Sequence, residues 1–256
     1  MSRDHVAINR AVWDADAENW VDVGERLWRA PDPRWGNWGI AEADLKLFPP
    51  DLKDRDAIEL GCGTGYVSGW LARRGARVTA IDVSPKQLAT ARRLAKEHGA
   101  DIRFIEGNAE ATGLEDSGFD FVISEYGAAI WCPPGLWLRE AWRLLRPGGR
   151  LVFLGNHPLV LLCSPANGAP CETKLHRPYR DLWGADWTDV EFDPSGVCFN
   201  LTFSAWMELF STIGFVVRNY QELFAPEEET QTRASVPAEW ARNFPVEQVW
   251  HLEKPA

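Results

Sequence analysis

Long apolar runs are missing from this 256-residue chain. No stretch approaches the roughly twenty residues that a membrane helix needs, and nothing near the N-terminus reads as a secretory leader. The expectation is a cytoplasmic protein with no membrane partner. Basic residues are also short: 27 Lys and Arg face 37 Asp and Glu, giving a formal charge of −10 and a pI near 5.1. Binding to nucleic acid draws on clustered cations that neutralise phosphates, so a nucleic-acid partner is not expected. The five cysteines are odd in number and scattered, with no C-x-x-C pair. That excludes a zinc ribbon or a redox pair and leaves free thiols in a reducing compartment, with no metal site expected. Internal repeats and low-complexity tracts are absent too.

What is present is a large apolar fraction, 45% of residues, enough to fill the core of one domain of this size. The organising stretch is Ala57-Ile58-Glu59-Leu60-Gly61-Cys62-Gly63-Thr64-Gly65. A short apolar run carrying an acid leads into three alternate glycines, and Val67, Trp70 and Leu71 then fall on one helical face. Strand, tight turn and helix follow from that pattern. Residues without Cβ permit positive φ and let a ligand lie against the backbone, where helix-start N–H groups face it. Arg77-Val78-Thr79-Ala80-Ile81-Asp82 is a second strand ending in a carboxylate, about twenty residues past Gly61, the separation at which an acid reaches a ribose diol. A nicotinamide-binding turn spaces its glycines G-x-G-x-x-G, but the third place here is Tyr66, whose side chain obstructs a pyrophosphate. A ligand with ribose and no pyrophosphate fits better.

These residues resemble the class I methyltransferases that use S-adenosylmethionine, of the small-molecule type. The match runs through Glu59 to Gly65, Asp82, Gly107-Asn108-Ala109-Glu110 and Leu144-Leu145-Arg146-Pro147-Gly148-Gly149-Arg150-Leu151, four motifs in order over about residues 50 to 155. The resemblance implies a Rossmann-like α/β/α sandwich: one seven-stranded, mostly parallel sheet with an antiparallel edge hairpin. It implies a single domain, with an N-terminal helical cap (1–50), a cofactor-binding core (51–156), a lid-like insertion after strand five (157–200), and a C-terminal helix with edge strands (201–256). It also implies methyl transfer from S-adenosylmethionine to a small molecule, leaving S-adenosylhomocysteine.

Carried over by position, Gly61, Gly63 and Gly65 give backbone approach and Asp82 takes the ribose. Asn108 with Ala109 and Glu110 faces adenine, Glu59 and Glu125 meet the methionine end, and Trp20 and Trp38 close over the donor. Asn108 stands where the family has Asp; its amide oxygen still accepts a hydrogen bond, without the charge.

The remaining stretches read as follows. Residues 11 to about 29 form one helix, with Trp13, Trp20 and Trp28 at near-helical spacing. Ser84-Pro85-Lys86-Gln87 reads as an N-cap, a proline at the first helical position and a Gln completing a capping box. The segment from Glu125 to Trp131 leaves a strand at its carboxyl end, where doubly wound folds bind ligands. Tyr126 and Trp131 are candidates for the acceptor pocket, Trp131 being equally readable as packing under the next helix. His157, leaving another strand, is the first candidate for a general base, with Tyr126 or Glu125 in reserve; the competing reading of His157 is a hydrogen-bonded hinge before Pro158. The insertion, with Trp183, walls the acceptor site or serves as an oligomer surface. Asn200 is read as the cap of a helix that turns Phe203, Trp206, Met207 and Phe210 inward.

Fourteen tryptophans, several clustered before residue 40 and between 131 and 187, point to a planar or apolar acceptor. Two other readings stay open: aminopropyl transfer on the same scaffold, and a protein that binds the nucleoside without catalysis. Oligomeric state, monomer or homodimer, is not decided by the sequence.

Overall fold

A computed structural model describes residues 4–190 and 195–256. The chain opens with α1 (His5–Asp16), a 3-10 turn (Ala17–Trp20) and α2 (Val21–Arg29), then a short hairpin of β1 (Arg34–Trp35) and β2 (Ile40–Ala41), and α3 (Glu42–Leu45). The core follows as β3 (Asp56–Leu60), α4 (Tyr66–Arg73), β4 (Arg77–Asp82), α5 (Pro85–Glu97), β5 (Ile102–Glu106), β6 (Phe119–Glu125), α6 (Ala128–Trp131), α7 (Pro134–Leu144) and β7 (Leu145–Asn156). After it come α8 (Pro158–Cys163), a hairpin of β8 (Gly184–Asp186) and β9 (Val197–Phe199), α9 (Phe203–Ile213), β10 (Val216–Leu223), α10 (Ala238–Asn243) and β11 (Glu247–Glu253). No helix among the described residues is long and apolar enough to cross a membrane.

The main sheet has seven strands in the order β10-β11-β7-β6-β3-β4-β5. The strands from β7 to β5 pair in parallel, and β11 runs antiparallel to both β7 and β10. This is the Rossmann-like sandwich expected. Side chains alternate across the sheet with the strand period of two. On β6 and β7, Val122, Leu151 and Phe153 pack with Trp137, Leu138, Trp206 and Trp250 on one face. Phe121, Ile123, Val152 and Leu154 pack with Trp70, Leu71 and Trp35 on the other. Both faces are covered, which is why the parallel strands read as continuous apolar runs. Chain direction across the sheet reverses between β3 and β6, the switch point beside which such folds leave a crevice at the strands' carboxyl ends.

Several local expectations are corrected. The N-terminal helix is two helices joined by a tighter turn, because the Asp16 carboxylate accepts from Asn19 Nδ2 at 2.6 Å and Trp20 Nε1 at 2.7 Å and so draws the chain around itself. Thr202, not Asn200, caps α9: its side chain accepts from Ala205 N, while Asn200 donates to the Asn156 carbonyl and accepts from Leu201 N. Phe203 and Met207 are 46% and 40% exposed, so α9 buries Trp206 and Phe210 alone of the four expected. The capping box is incomplete: Ser84 Oγ accepts from Gln87 N, but Ser84 N donates to Asp82 Oδ1, leaving the Gln87 side chain without the role the box would give it.

Candidate functional site

At the switch point the carboxyl ends of β3 to β6 open into a cavity of about 790 Å³, roofed by α1, α2 and the 36–39 loop and walled by the insertion. Among the sequence candidates, Trp20, Trp38, Glu59, Gly61, Gly63, Asp82, Asn108, Ala109, Glu110, Glu125, Tyr126 and Trp131 all line it. Gly65, His157 and Trp183 do not.

The three glycines have different work. All have φ between +50° and +78°. A Cβ on Gly61 would come within 2.6 Å of Gly127 Cα, so Gly61 lets the ends of β3 and β6 close on each other. A Cβ on Gly65 would press on Ala91 and Phe104, so it serves helix packing rather than ligand approach. Only at Gly63 does the space open, with Gln87 Oε1 the nearest atom at 3.9 Å. Gly63 is therefore the position at which a ligand can lie on bare backbone.

Asp82 is held by the turn itself: Gly63 N donates to Oδ2 at 2.8 Å and Ser84 N to Oδ1 at 2.9 Å. Burial raises its pKa and these backbone donors oppose the rise. A carboxylate has about four acceptor sites, so two remain for a diol. At the end of β5, Asn108 Oδ1 accepts from Glu110 N at 2.9 Å, a local turn that engages the oxygen expected to face adenine. The Glu110 carboxylate pairs with His5 Nε2 at 2.6 Å, tying α1 to this corner. Glu59 Oε2 accepts from the backbone and hydroxyl of Ser68, binding β3 to the start of α4, and burial pushes its pKa well up.

A second buried group lies under the 36–39 loop. Glu125 Oε1 accepts from Gly36 N at 3.0 Å and its other oxygen accepts from the Tyr66 hydroxyl. Tyr126, at φ +52°, donates to Glu247 Oε1 at 2.6 Å and accepts from Asn37 Nδ2 at 2.9 Å. Asn37 N donates to the same Glu247 oxygen at 2.8 Å. Burial and the Glu247 carboxylate push the Tyr126 phenol well above its usual value, so it keeps its proton and is unsuited to act as a base. Burial, with Glu125 adding repulsion, pushes Glu247 up to about 7. From outside, Arg233 Nη1 donates to the Asn37 carbonyl and Arg34 Nη1 to that of Gly39.

His157 is the N-cap of α8: Nδ1 accepts from Leu159 N at 3.2 Å, and Nε2 lies 3.3 Å from Glu222. Burial lowers its pKa against the pull of Glu222. It points to β10 rather than the cavity, and the expected base is corrected to a capping residue. Trp183 is 43% exposed, borders a shallow recess by α9, and meets Phe199 edge-on at 5.9 Å.

Along another part of the cavity wall Trp13 meets Trp131 edge-to-face at 5.3 Å and Trp20 at 5.6 Å, with Trp187, Phe199 and Leu161 also lining it. Asn9 fastens this wall, donating to the carbonyls of Trp131 and Val197 and accepting from Val197 N. Trp13, Trp187 and Glu247 are not among the sequence candidates. Trp13 carries a visible signal, its helical spacing to Trp20; Glu247 carries none, since strand pairing alone brings it opposite Asn156.

The cavity's chemistry suits an adenosyl sulfonium. Five buried side-chain polar atoms lack a partner among the described residues, and three of them, Trp38 Nε1, Thr64 Oγ1 and Gln87 Oε1, belong to residues on this wall. An open backbone at Gly63, a held carboxylate at Asp82 and further acids at Glu59 and Glu125 fit a cationic nucleoside without pyrophosphate. The fold is thus Rossmann-like, with its cavity at the switch point where such folds take their ligands.

Residues 58–153 match the family described as a methyltransferase domain. Over 123 residues it is 39% identical to the demethylmenaquinone methyltransferase of Thermus thermophilus, a match covering 47% of this chain and 54% of that one. The chain thus spans about half the length of that curated relative. An S-adenosylmethionine-dependent methyltransferase from Mesorhizobium loti superposes with a TM-score of 0.68 at 22% identity, covering 85% of this chain and 100% of that one. The [4+2]-cyclase SpnF superposes at 0.63 and 20% identity, covering 97% and 95%. At such identities the superpositions show shared fold alone.

Proposed function

We propose that this protein transfers a methyl group from S-adenosylmethionine to a small, planar, largely apolar acceptor. The observation that carries the reading is a single cavity lined both by carboxylates and open backbone at the glycine turn and by the indoles of Trp13, Trp131 and Trp187. Its volume of about 790 Å³ lies towards the upper part of the roughly 300–1,000 Å³ range of ligand pockets, consistent with room for two ligands. Asp82 holds the ribose, Gly63 passes the ligand over its backbone, and Asn108, Ala109 and Glu110 border the adenine. Glu59 and Glu125 face the methionine end, and Trp20 and Trp38 roof it. When bound, the cofactor supplies a methyl group already activated by its positive sulfur.

The chain's own contribution is orientation and exclusion of water. Trp13, Trp131 and Trp187 hold a flat acceptor, and Tyr126 braces the loop above it through Asn37. With His157 outside the cavity and Tyr126 protonated, no side chain here is assigned as general base. The acceptor arrives ionised or sheds its proton after transfer. A quinol-like ring, as the name of the Thermus relative indicates for that protein, fits this wall. Aminopropyl transfer calls for acids at the acceptor end, where indoles stand instead.

The test is release of S-adenosylhomocysteine from S-adenosylmethionine across a panel of phenols, hydroquinones and aromatic amines. Turnover with a ring acceptor, weakened in KM by Trp131→Ala, is expected, and its pH profile should follow the acceptor's ionisation. A parent protein that binds neither nucleoside at millimolar concentration would overturn the reading. Binding with no turnover would favour a non-catalytic or cyclase-like use of the fold.

A further inference from the structure

We propose that Asn156, at the carboxyl end of β7, is an acceptor-binding residue whose side-chain amide donates a hydrogen bond to an oxygen on the acceptor ring, making the site selective for phenols and hydroquinones over rings without a hydroxyl. The proposal rests on the methyl-transfer reading above and adds to it the polar group that the acceptor must present.

Three observations single out Asn156. Side chains alternate along β7, so Asn156 falls on the face of Val152 and Leu154, while His157, just past the strand, turns away towards Glu222. Asn156 lines the cavity and is half-buried, whereas Leu154 and the residue directly across on β11, Glu247, are fully buried. What Asn156 exposes is therefore turned to the cavity. Its backbone carbonyl accepts from Asn200 Nδ2 at 2.9 Å and Gln248 Nε2 at 3.1 Å, but no hydrogen bond among the described residues uses its side chain. Finally, the position is stiff. Both side chains that grip its carbonyl are buried and held in turn: Trp206 Nε1 donates to Asn200 Oδ1 at 3.3 Å and Trp250 Nε1 to Gln248 Oε1 at 3.0 Å. A free amide on a fixed strand end can aim a hydrogen bond at a ligand.

The other polar side chains at the ends of β6 and β7 are already engaged. The Tyr126 hydroxyl is held between Glu247 and Asn37, Ser164 Oγ donates to the Val160 carbonyl at 2.7 Å, and the Asn200 amide is spent on Asn156 and Leu201. An apolar ring with a hydroxyl in reach of Asn156 meets an N–H donor and, if the amide turns, an acceptor. The donor matters more, because hydrogen bonds to a charged oxygen are stronger than those to a neutral one. Asn156 thus favours the ionised form of a phenol, in a cavity where neither His157 nor Tyr126 takes its proton.

The experiment is fluorescence titration of the full chain, saturated with S-adenosylhomocysteine, with 2-naphthol and with naphthalene, in the parent and in Asn156→Leu and Asn156→Ala. One neutral hydrogen bond is worth roughly 3- to 10-fold in affinity, so the parent should prefer 2-naphthol by that factor. Both variants should lose the preference while keeping the parent's affinity for S-adenosylhomocysteine, and Asn156→Leu, similar in shape, should keep its affinity for naphthalene. Emission of the bound naphtholate gives a second readout: the pH at which the bound ring ionises should be higher in the variants, since the donor that favours the charged oxygen is gone. A parent without the preference overturns the role of Asn156, as does a preference that survives in both variants. An equal loss for both rings marks a packing role, and a loss of S-adenosylhomocysteine affinity in both variants marks a cofactor or structural role; either overturns the proposal. A parent that binds no S-adenosylhomocysteine overturns the methyl-transfer reading itself, and this assignment with it.

Discussion

Replacing Glu247 by Gln isolates the electrostatic cost of the acid under the 36–39 loop. Glu247 is fully buried, and its carboxyl is raised from 4.5 to about 7 chiefly by burial. Between those two values the folded state holds a proton that the unfolded chain has released. The free energy of unfolding therefore falls as pH rises from about 4.5 to about 7 and is level above. A shift of that size corresponds to about 3 kcal/mol, present in full below the unfolded value and lost at pH 8. A Gln at this position keeps an oxygen for Asn37 N and the Tyr126 hydroxyl but cannot ionise. Urea denaturation of parent and Glu247→Gln from pH 5 to 8.5 at fixed ionic strength should show similar stability at the acid end. At the alkaline end the variant should lead by up to about 3 kcal/mol. A parent–variant difference that stays constant with pH would refute the reasoning, because other buried acids such as Glu59 and Glu125 titrate in both proteins and cancel.

The remaining expectations are simpler. Gly61→Ala should destabilise the fold by about 1–3 kcal/mol through its clash with Gly127. Gly63→Ala, by contrast, meets open space, so it should cost only the strain of a side chain at φ +50°, about 1–2 kcal/mol, and should weaken S-adenosylhomocysteine binding besides; thermal melts and titration separate the two. His157→Ala should leave turnover with the best acceptor unchanged while costing about 1 kcal/mol of stability as a lost helix cap. Asn9→Ala strips three hydrogen bonds that join α1 to α6 and β9. Proteolysis within the first thirty residues should accelerate, and protection by added nucleoside should fall.

The core of the fold is legible in the sequence because its signals are local. Apolar runs mark β3, β4, β6 and β7, and turn residues mark their ends, so the sheet and the carboxylate of Asp82 follow from the order of residues alone. The glycine turn is legible as a turn, but spacing does not tell that Gly61 and Gly65 are needed for packing and Gly63 for access. His157 misleads because a histidine at a strand's carboxyl end looks the same whether it faces the crevice or caps the next helix. Its rotamer is decided by Leu159 N and Glu222, which the local sequence does not display. Gln87 misleads in the opposite direction: a well-formed capping motif conceals a side chain released by competition from Asp82. The acceptor wall is legible only as a surplus of tryptophan. Pairing Trp13 with Trp131 depends on the cap meeting a segment more than a hundred residues away.

The Glu247 carboxylate arrives on β11 and accepts from the amide of Asn37, across 210 positions of sequence. Contacts of such span close late in folding, since the intervening chain must first be ordered. The roof of the cavity is therefore latched from far downstream. A nascent or C-terminally nicked molecule lacking β11 would carry every recognisable motif and still leave its roof loose. Tight nucleoside binding then reports a finished molecule, and slow deuterium uptake at the Gly36 and Asn37 amides, lost when β11 is removed, is the signature to seek.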